Sequence, residues 1–287
     1  MLRNFLSSIV ILLLCRPLVA QPSGEPEGNR YVKVRLALDA TALVPGKPAT
    51  LGVVFDISSG WHLYWRNPGD SGLPPTVKLK LPEGVTAGEV RWPAPKRHLQ
   101  AGGILDYIFE KQLVLLYPLN VSQAAKPGEI NIEANTDWLV CREKCVPGRA
   151  NVKQGFTIAE TASPSPDRPI IEEFNARVPR SINKEKDGIE LRWNDQVLMI
   201  TANQATRLIY FPKENKADIY PDDIVQSGKS DTSTLRLAYP KTVQDVGSVA
   251  AVLAVTRNGK EFWYDIECPV PRPTNRGSAT KSGGEHP

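Results

Sequence analysis

The chain has 287 residues, 23% of them charged and 41% hydrophobic, with 25 prolines and 21 glycines. That length suits two domains of ordinary size. The formal charge of +4 drops by two to +2 once Arg3 and Arg16 of the N-terminal segment are set aside, and the mixed signs exclude a nucleic-acid or membrane-surface footprint.

In chain order, residues 1–20 read as a secretory signal peptide. Arg3 supplies the positive charge, 5–15 is apolar apart from two serines, and Ala20 ends the segment on a small residue. The apolar stretch is about 11 residues, against the ~20 needed to cross a bilayer. No stable membrane insertion is expected of the remainder. Residues 21–29 are a flexible lead-in. Alternation with period two then begins: Val32, Val34, Leu36 and Leu38 alternate with Lys33 and Arg35, and Leu51, Val53, Phe55 and Ile57 follow a Pro-Gly turn. Further strand patterns lie at 113–119, 129–135 and 152–158, with no long helical periodicity between them.

The Ser-Pro-rich segment 162–169 reads as a linker, and Pro169 sits where a short helix over 170–177 would start. Strand patterns resume at 188–193, 197–202, 207–211, 234–239, 249–255 and 261–268. The last two are joined by Asn258-Gly259, a strong hairpin signal. The fold class is therefore all-β: two immunoglobulin-like antiparallel β-sandwich domains in tandem, at 30–161 and 170–268, with a disordered tail over 269–287.

Removing the signal takes Cys15 with it and leaves Cys141, Cys145 and Cys268 in an oxidising compartment. Cys141 and Cys145 lie four positions apart between the patterns at 129–135 and 152–158. That spacing permits a disulfide if the loop bends back, and Pro147 helps fix its exit. Arg142 and Lys144 favour thiolate while Glu143 opposes it, so charge does not choose the attacking sulfur. Three readings stay open on the residues alone: a redox couple, a structural staple, and a two-thiolate Cu(I) site. A five-residue ring removes only about 2 kcal/mol of unfolded-state entropy, against about 5 for a bridge to Cys268, which makes it a poor staple. Cys268 reads as a buried or half-buried free thiol.

The motif from Trp138 through Cys141 and Cys145 to Pro147 resembles that of the N-terminal periplasmic domain of the thiol:disulfide interchange protein DsbD family, in the branch related to the copper-tolerance protein ScsB. Residues 61–74 (WHLYWRNPGDSGLP) and 91–95 (RWPAP) add to the resemblance. So do 174–179 (FNARVP) with 210–212 (YFP), which resemble the second immunoglobulin-like domain of that branch. The resemblance implies that Cys141 and Cys145 are the catalytic pair of a component of protein-disulfide reduction, working without a cofactor. It implies a thioredoxin-like or membrane thiol reductase as electron donor and periplasmic disulfide-bearing proteins as acceptors. No apolar run after residue 20 is long enough for a membrane relay and no Cys-x-x-Cys follows, so the expectation is a stand-alone domain that borrows its electrons. The family's shielding cap loop is matched loosely by 96–109, with Asp106, Tyr107 and Phe109 as the candidates.

Other residues read more plainly. Trp61, Tyr64 and Trp65 are expected to be structural aromatics, and His62 and His98 solvated histidines, since nothing in the sequence places either beside the cysteines. Asp137 and Glu143 are expected to be solvated. No nucleophile triad, phosphate loop or paired carboxylates stand out, which leaves hydrolase and kinase readings without support.

Overall fold

The computed structural model describes residues 27–183, 185–214, 219, 221–227 and 232–271. The expected signal peptide at 1–20, most of the lead-in and the tail beyond 271 lie outside the described residues. Ten strands follow the 3₁₀ turn Glu27–Arg30: β1 (Val32–Leu38), β2 (Pro48–Ile57), β3 (His62–Gly69), β4 (Thr76–Lys80), β5 (Val85–Ala87), β6 (Lys96–Leu99), β7 (Leu105–Glu110), β8 (Gln112–Val121), β9 (Gly128–Cys141) and β10 (Cys145–Ile158). One sheet has the order β1-β2-β8-β5. The other runs β10-β9-β3-β7-β6, with β4 also pairing with β9.

Period-two alternation turns Leu36, Leu51, Val53, Phe55, Leu113 and Leu115 of the first sheet toward Leu63, Trp65, Tyr107, Phe109, Trp138 and Val140 of the second, which makes the main core. The run at 113–116 is apolar without alternation because its sheet is buried on both faces. Val114 and Leu116, with Ala37 and Val54, lie beneath Ile171 and Phe174 of the helix α1 (Arg168–Asn175). The segment expected to be a linker is correspondingly tied down: Ala40 bridges Pro164, Ser165 N–H donates to the Asp39 carbonyl, and Arg35 pairs with Asp167 at 2.8 Å.

The second sandwich contains β11 (Arg180–Ser181), β12 (Ile189–Asn194), β13 (Val197–Ala202), β14 (Arg207–Pro212), the short helix α2 (Pro221–Gln226), β15 (Thr234–Ala238), β16 (Ser248–Arg257) and β17 (Lys260–Pro269). Its sheets are β11-β17-β16-β14 and β12-β13-β15. All pairs are antiparallel except β11 with β17. The β16–β17 turn places both Asn258 and Gly259 at positive φ, 49° and 71°, as a two-residue hairpin requires.

The two sandwiches share apolar contact. Phe211 lies 6.5 Å from the Trp65 ring and 5.7 Å from the Tyr107 ring, and it joins the first core with Val252 and Ala254. Polar ties flank it. Asn67 Nδ2 donates to the Pro212 carbonyl at 2.8 Å, and the Arg97 guanidinium donates to the carbonyls of Ile224 and Ser227 and to Ser227 Oγ.

At the far end of the second sandwich, buried Asp187 is held by Arg180, by the Asn183 N–H at 2.7 Å and by the Tyr264 hydroxyl at 3.3 Å. The Arg180 hydrogen bonds in first place bring its pKa down to about 2 from 3.8. A depressed carboxyl contributes stability above its unfolded value and loses it as pH falls through the folded value. Asp187→Asn is accordingly expected to cost about 2 kcal/mol at neutral pH. In thermal melts the gap to wild type should narrow from about pH 4 toward pH 2; a gap independent of pH would contradict the assignment.

Candidate active site

Strands β9 and β10 form one hairpin in unbroken register, from Ile158 opposite Gly128 to Cys145 opposite Cys141. The cysteines were expected in a broad loop, but the strands run up to them, and only 142–144 turn, closed by Arg142 N–H to the Lys144 carbonyl at 3.1 Å. The reason is visible in 132–140, where Ile132, Ala134, Thr136, Trp138 and Val140 alternate into the core. Pro147 is tolerated opposite Leu139 because β10 is the edge of its sheet, where a missing N–H breaks no inner ladder. Cys141 and Cys145 thus face each other with Cα atoms 4.1 Å apart and are joined by a disulfide.

Directly paired residues in an antiparallel ladder project to the same face. Cys141 is paired on its other side with His62 of β3, and His62 in turn with Glu110 of β7. The next row pairs Tyr64 with Ile108, and beyond it Asp106 is paired with His98. One face of the sheet therefore carries the disulfide, His62, Tyr64, Asp106 and His98, while Leu63, Trp65, Tyr107 and Phe109 fill the core on the other. The Tyr64 hydroxyl lies 3.8 Å from Cys145 Sγ and 3.3 Å from His62 Nε2. The His62 ring lies 5.3 Å from that of His98.

Burial separates the two sulfurs. Cys141, flanked by β10 and β3 and packed with Tyr64, Ile108 and Leu139, is 2% exposed, whereas Cys145 on the edge strand is exposed. His62 is 6% exposed, and its pKa lies below 6.5 because burial disfavours the cation and His98 adds repulsion, against the opposing pull of Asp106 and Glu110. Burial likewise raises the Tyr64 hydroxyl, against a lowering hydrogen bond with Ser71. Both groups are therefore neutral at pH 7.

The cap candidates stand differently from expectation. Residues 96–109 form the β6–β7 hairpin instead of a loop, and Tyr107 and Phe109 are buried core residues on the face away from the disulfide. Asp106 points to the disulfide's face but is fully buried. It accepts hydrogen bonds from Ser71 N and Oγ at 2.9 Å each and from Gln100, and so anchors the loop after β3. That loop packs on the Tyr64 ring: Gly72, at φ +77°, passes so close that a Cβ there would sit 2.1 Å from Cζ. Asp70 secures it from the other side by accepting from Leu105 N–H at 2.7 Å.

His62, expected to be a solvated histidine, is buried beside Cys141 because β3 is an inner strand, and Tyr64, expected to be a structural aromatic, reaches Cys145. Their signal was the alternation in 61–65, which pairs polar His62 and Tyr64 on one face against Leu63 and Trp65 on the other. Trp61 is structural, stacked on Tyr31 at 3.7 Å. Asp137 and Glu143 are exposed, Glu143 beside Arg142 at 3.5 Å. Cys268 is buried and free. Among the described residues no group of three or more His, Cys, Asp or Glu is arranged to hold a metal ion, and no helix is long and apolar enough to cross a membrane.

Residues 29–157 match the family described as thiol:disulfide interchange protein DsbD, N-terminal. The match spans nearly the whole of the first sandwich. The N-terminal periplasmic domain of ScsB from Proteus mirabilis shares the fold at 14% identity, with a TM-score of 0.53 over 85% of this chain and 95% of that one. The DsbD N-terminal domain of Neisseria meningitidis, in its reduced form, aligns at 15% identity over 48% of this chain and 94% of that one, with a TM-score of 0.27. No curated protein matches the chain in sequence. The match to the DsbD N-terminal family supports a thiol:disulfide interchange role in general, and the disulfide lies at 141–145 within the matched segment.

Gly72→Ala tests whether the loop on Tyr64 covers the disulfide. The substitution forces a side chain into the Tyr64 ring at a backbone conformation that costs about 1 kcal/mol for a residue with a Cβ. Dithiothreitol should reduce the Cys141–Cys145 bond faster in this variant, as followed by alkylation and mass shift. An unchanged rate would mean that the loop does not limit access.

Proposed function

We propose that this chain is a periplasmic thiol:disulfide exchange protein in which Cys145 exchanges with partners and Cys141 resolves. The observation that carries the reading is the asymmetry of the pair, one sulfur exposed at a sheet edge and its partner buried among Tyr64, Ile108 and Leu139. In the reducing direction the Cys145 thiolate attacks one sulfur of a substrate disulfide, forming a mixed disulfide and releasing the other substrate sulfur as thiolate. The Cys141 thiolate then attacks Cys145 Sγ, re-forms the Cys141–Cys145 bond and expels the second substrate thiolate, so two electrons have passed to the substrate. A dithiol donor restores the pair by the reverse steps, attacking at Cys145. The donor is a thioredoxin-like or membrane thiol reductase and the acceptors are periplasmic proteins with disulfides.

In this reading the dithiol belongs to a domain at 30–161, the loop 70–74 serves as its cover, and the second sandwich at 170–268 braces β3 and β6 through Asn67 and Arg97. The small loop closed by the bridge supports exchange over stapling, because its entropic contribution is only about 2 kcal/mol.

Two measurements test the proposal. The reduction potential of the pair should lie above about −300 mV, the region below which structural bridges fall. Cys141→Ser should accumulate a mixed disulfide with a disulfide-bearing partner through Cys145, while Cys145→Ser, which leaves only the buried sulfur, should trap far less. A pair that stays oxidised in the presence of thioredoxin-like reductants would sink the reading.

A further inference from the structure

A thiol near its usual pKa of about 8.5 is only a few per cent thiolate at neutral pH, so Cys145 must shed a proton each time it attacks. The turn does not supply the acceptor: the Arg142 guanidinium is already protonated, and the Glu143 carboxylate is paired with it at 3.5 Å. The sheet face does. Tyr64 Oη lies within hydrogen-bonding reach of both Cys145 Sγ, at 3.8 Å, and His62 Nε2, at 3.3 Å. A hydroxyl can accept from one neighbour while donating to the other, so it can pass a proton without holding charge.

Resting on the exchange reading above, we propose that Tyr64 and His62 form a proton relay for Cys145, with His62 the acceptor acting through Tyr64 and His98 the exit toward solvent. In the forward step the Cys145 S–H proton moves to Tyr64 Oη as the Tyr64 O–H proton moves to His62 Nε2. This yields a Cys145 thiolate, an unchanged tyrosine and an imidazolium at His62, with no change in redox state. When a partner re-reduces the bridge, the imidazolium returns its proton to the departing sulfur by the same path. The relay requires the neutral His62 tautomer with its proton on Nδ1, and burial keeps the ring neutral at pH 7.

The surroundings of His62 suit a group that takes a positive charge only briefly. From β7 it faces Glu110 as cross-strand partner and Asp106 farther along, both favouring the imidazolium. From β6 it faces His98, whose ring 5.3 Å away disfavours it, and Lys96, which is engaged with Glu110 at 3.3 Å. From β9 and β10 come the two sulfurs, and from the covering loop Ser71, which hydrogen-bonds Tyr64. Arg142 of the hairpin turn lies beside Gly60, two residues before β3, with its Cδ 3.5 Å from where a Cβ there would sit.

The test is the pH profile of the reduced full-length chain reacting with oxidised glutathione, compared among wild type, Tyr64→Phe and His62→Gln. Tyr64→Phe keeps the ring against Gly72 and removes only the hydroxyl. Both variants should react roughly tenfold more slowly at about pH 7 and converge on wild type at about pH 10, where the thiol ionises without help. Wild-type rates in both variants at neutral pH, or a rate lowered by one factor at every pH, would overturn the relay and leave the exchange reading standing. A wild-type dithiol that does not react with glutathione at any pH would overturn both.

Discussion

The pairing of β3 between β9 and β7 is the constraint on which the rest of this site depends. Because a strand presents alternate residues to opposite faces, the single register that sets His62 beside Cys141 also sets Tyr64 beside Ile108 and turns Leu63 and Trp65 into the core. A slip of one residue would carry two large apolar side chains to the disulfide's face and drive a histidine and a tyrosine into the core. Burial of Leu63 and Trp65, both almost wholly hidden, therefore fixes the polar face as firmly as it fixes the apolar one. The chemistry on one side of the sheet is specified by packing on the other.

Edge and centre of the same sheet then divide the labour between two otherwise equivalent sulfurs. β9 has neighbours on both sides and β10 has one, so residues paired across their hairpin differ in exposure although they are four positions apart. The second sandwich strengthens this arrangement from the far end of β3 and from β6. Phe211 packs against Trp65 and Tyr107, and Asn67 and Arg97 reach across to backbone carbonyls and Ser227. These ties act on the strands that carry Tyr64 and His98, so the second sandwich bears on the site, though none of its described residues contributes a side chain to it.

Alternation was strong where one face met solvent and weak where both were covered, which decided what could be read in advance. The 32–38 and 197–202 strands and the Asn258-Gly259 hairpin were legible because each signal is local. The strands between 61 and 111 were not, because β4, β5 and β6 are short and separated by Pro and Gly, and β3 and β7 are buried on both faces near the disulfide. Asp106, Tyr107 and Phe109 were matched to the family's cap by a loose resemblance, and their place on an inner strand shows only once β3 and β6 stand on either side of β7. The helix after the Ser-Pro segment was expected within two residues of where it lies, but its seat on Val114 and Leu116 was not, since nothing in an amphipathic octapeptide names the surface it covers.

By itself the sequence determined the all-β architecture, the pairing of Cys141 with Cys145 as one of several chemical possibilities, and the motifs in which the first sandwich resembles the DsbD N-terminal family. Those rest on periodicity and on residues close together in the chain. The tertiary structure alone decided which sulfur is exposed, which loop packs on Tyr64, and that His62 and Tyr64 stand beside the pair. Tyr64 and Cys145 are 81 positions apart, and they meet only because β9 pairs on one side with β10 and on the other with β3. Strand order is set by the sum of all core contacts, and no local pattern encodes it.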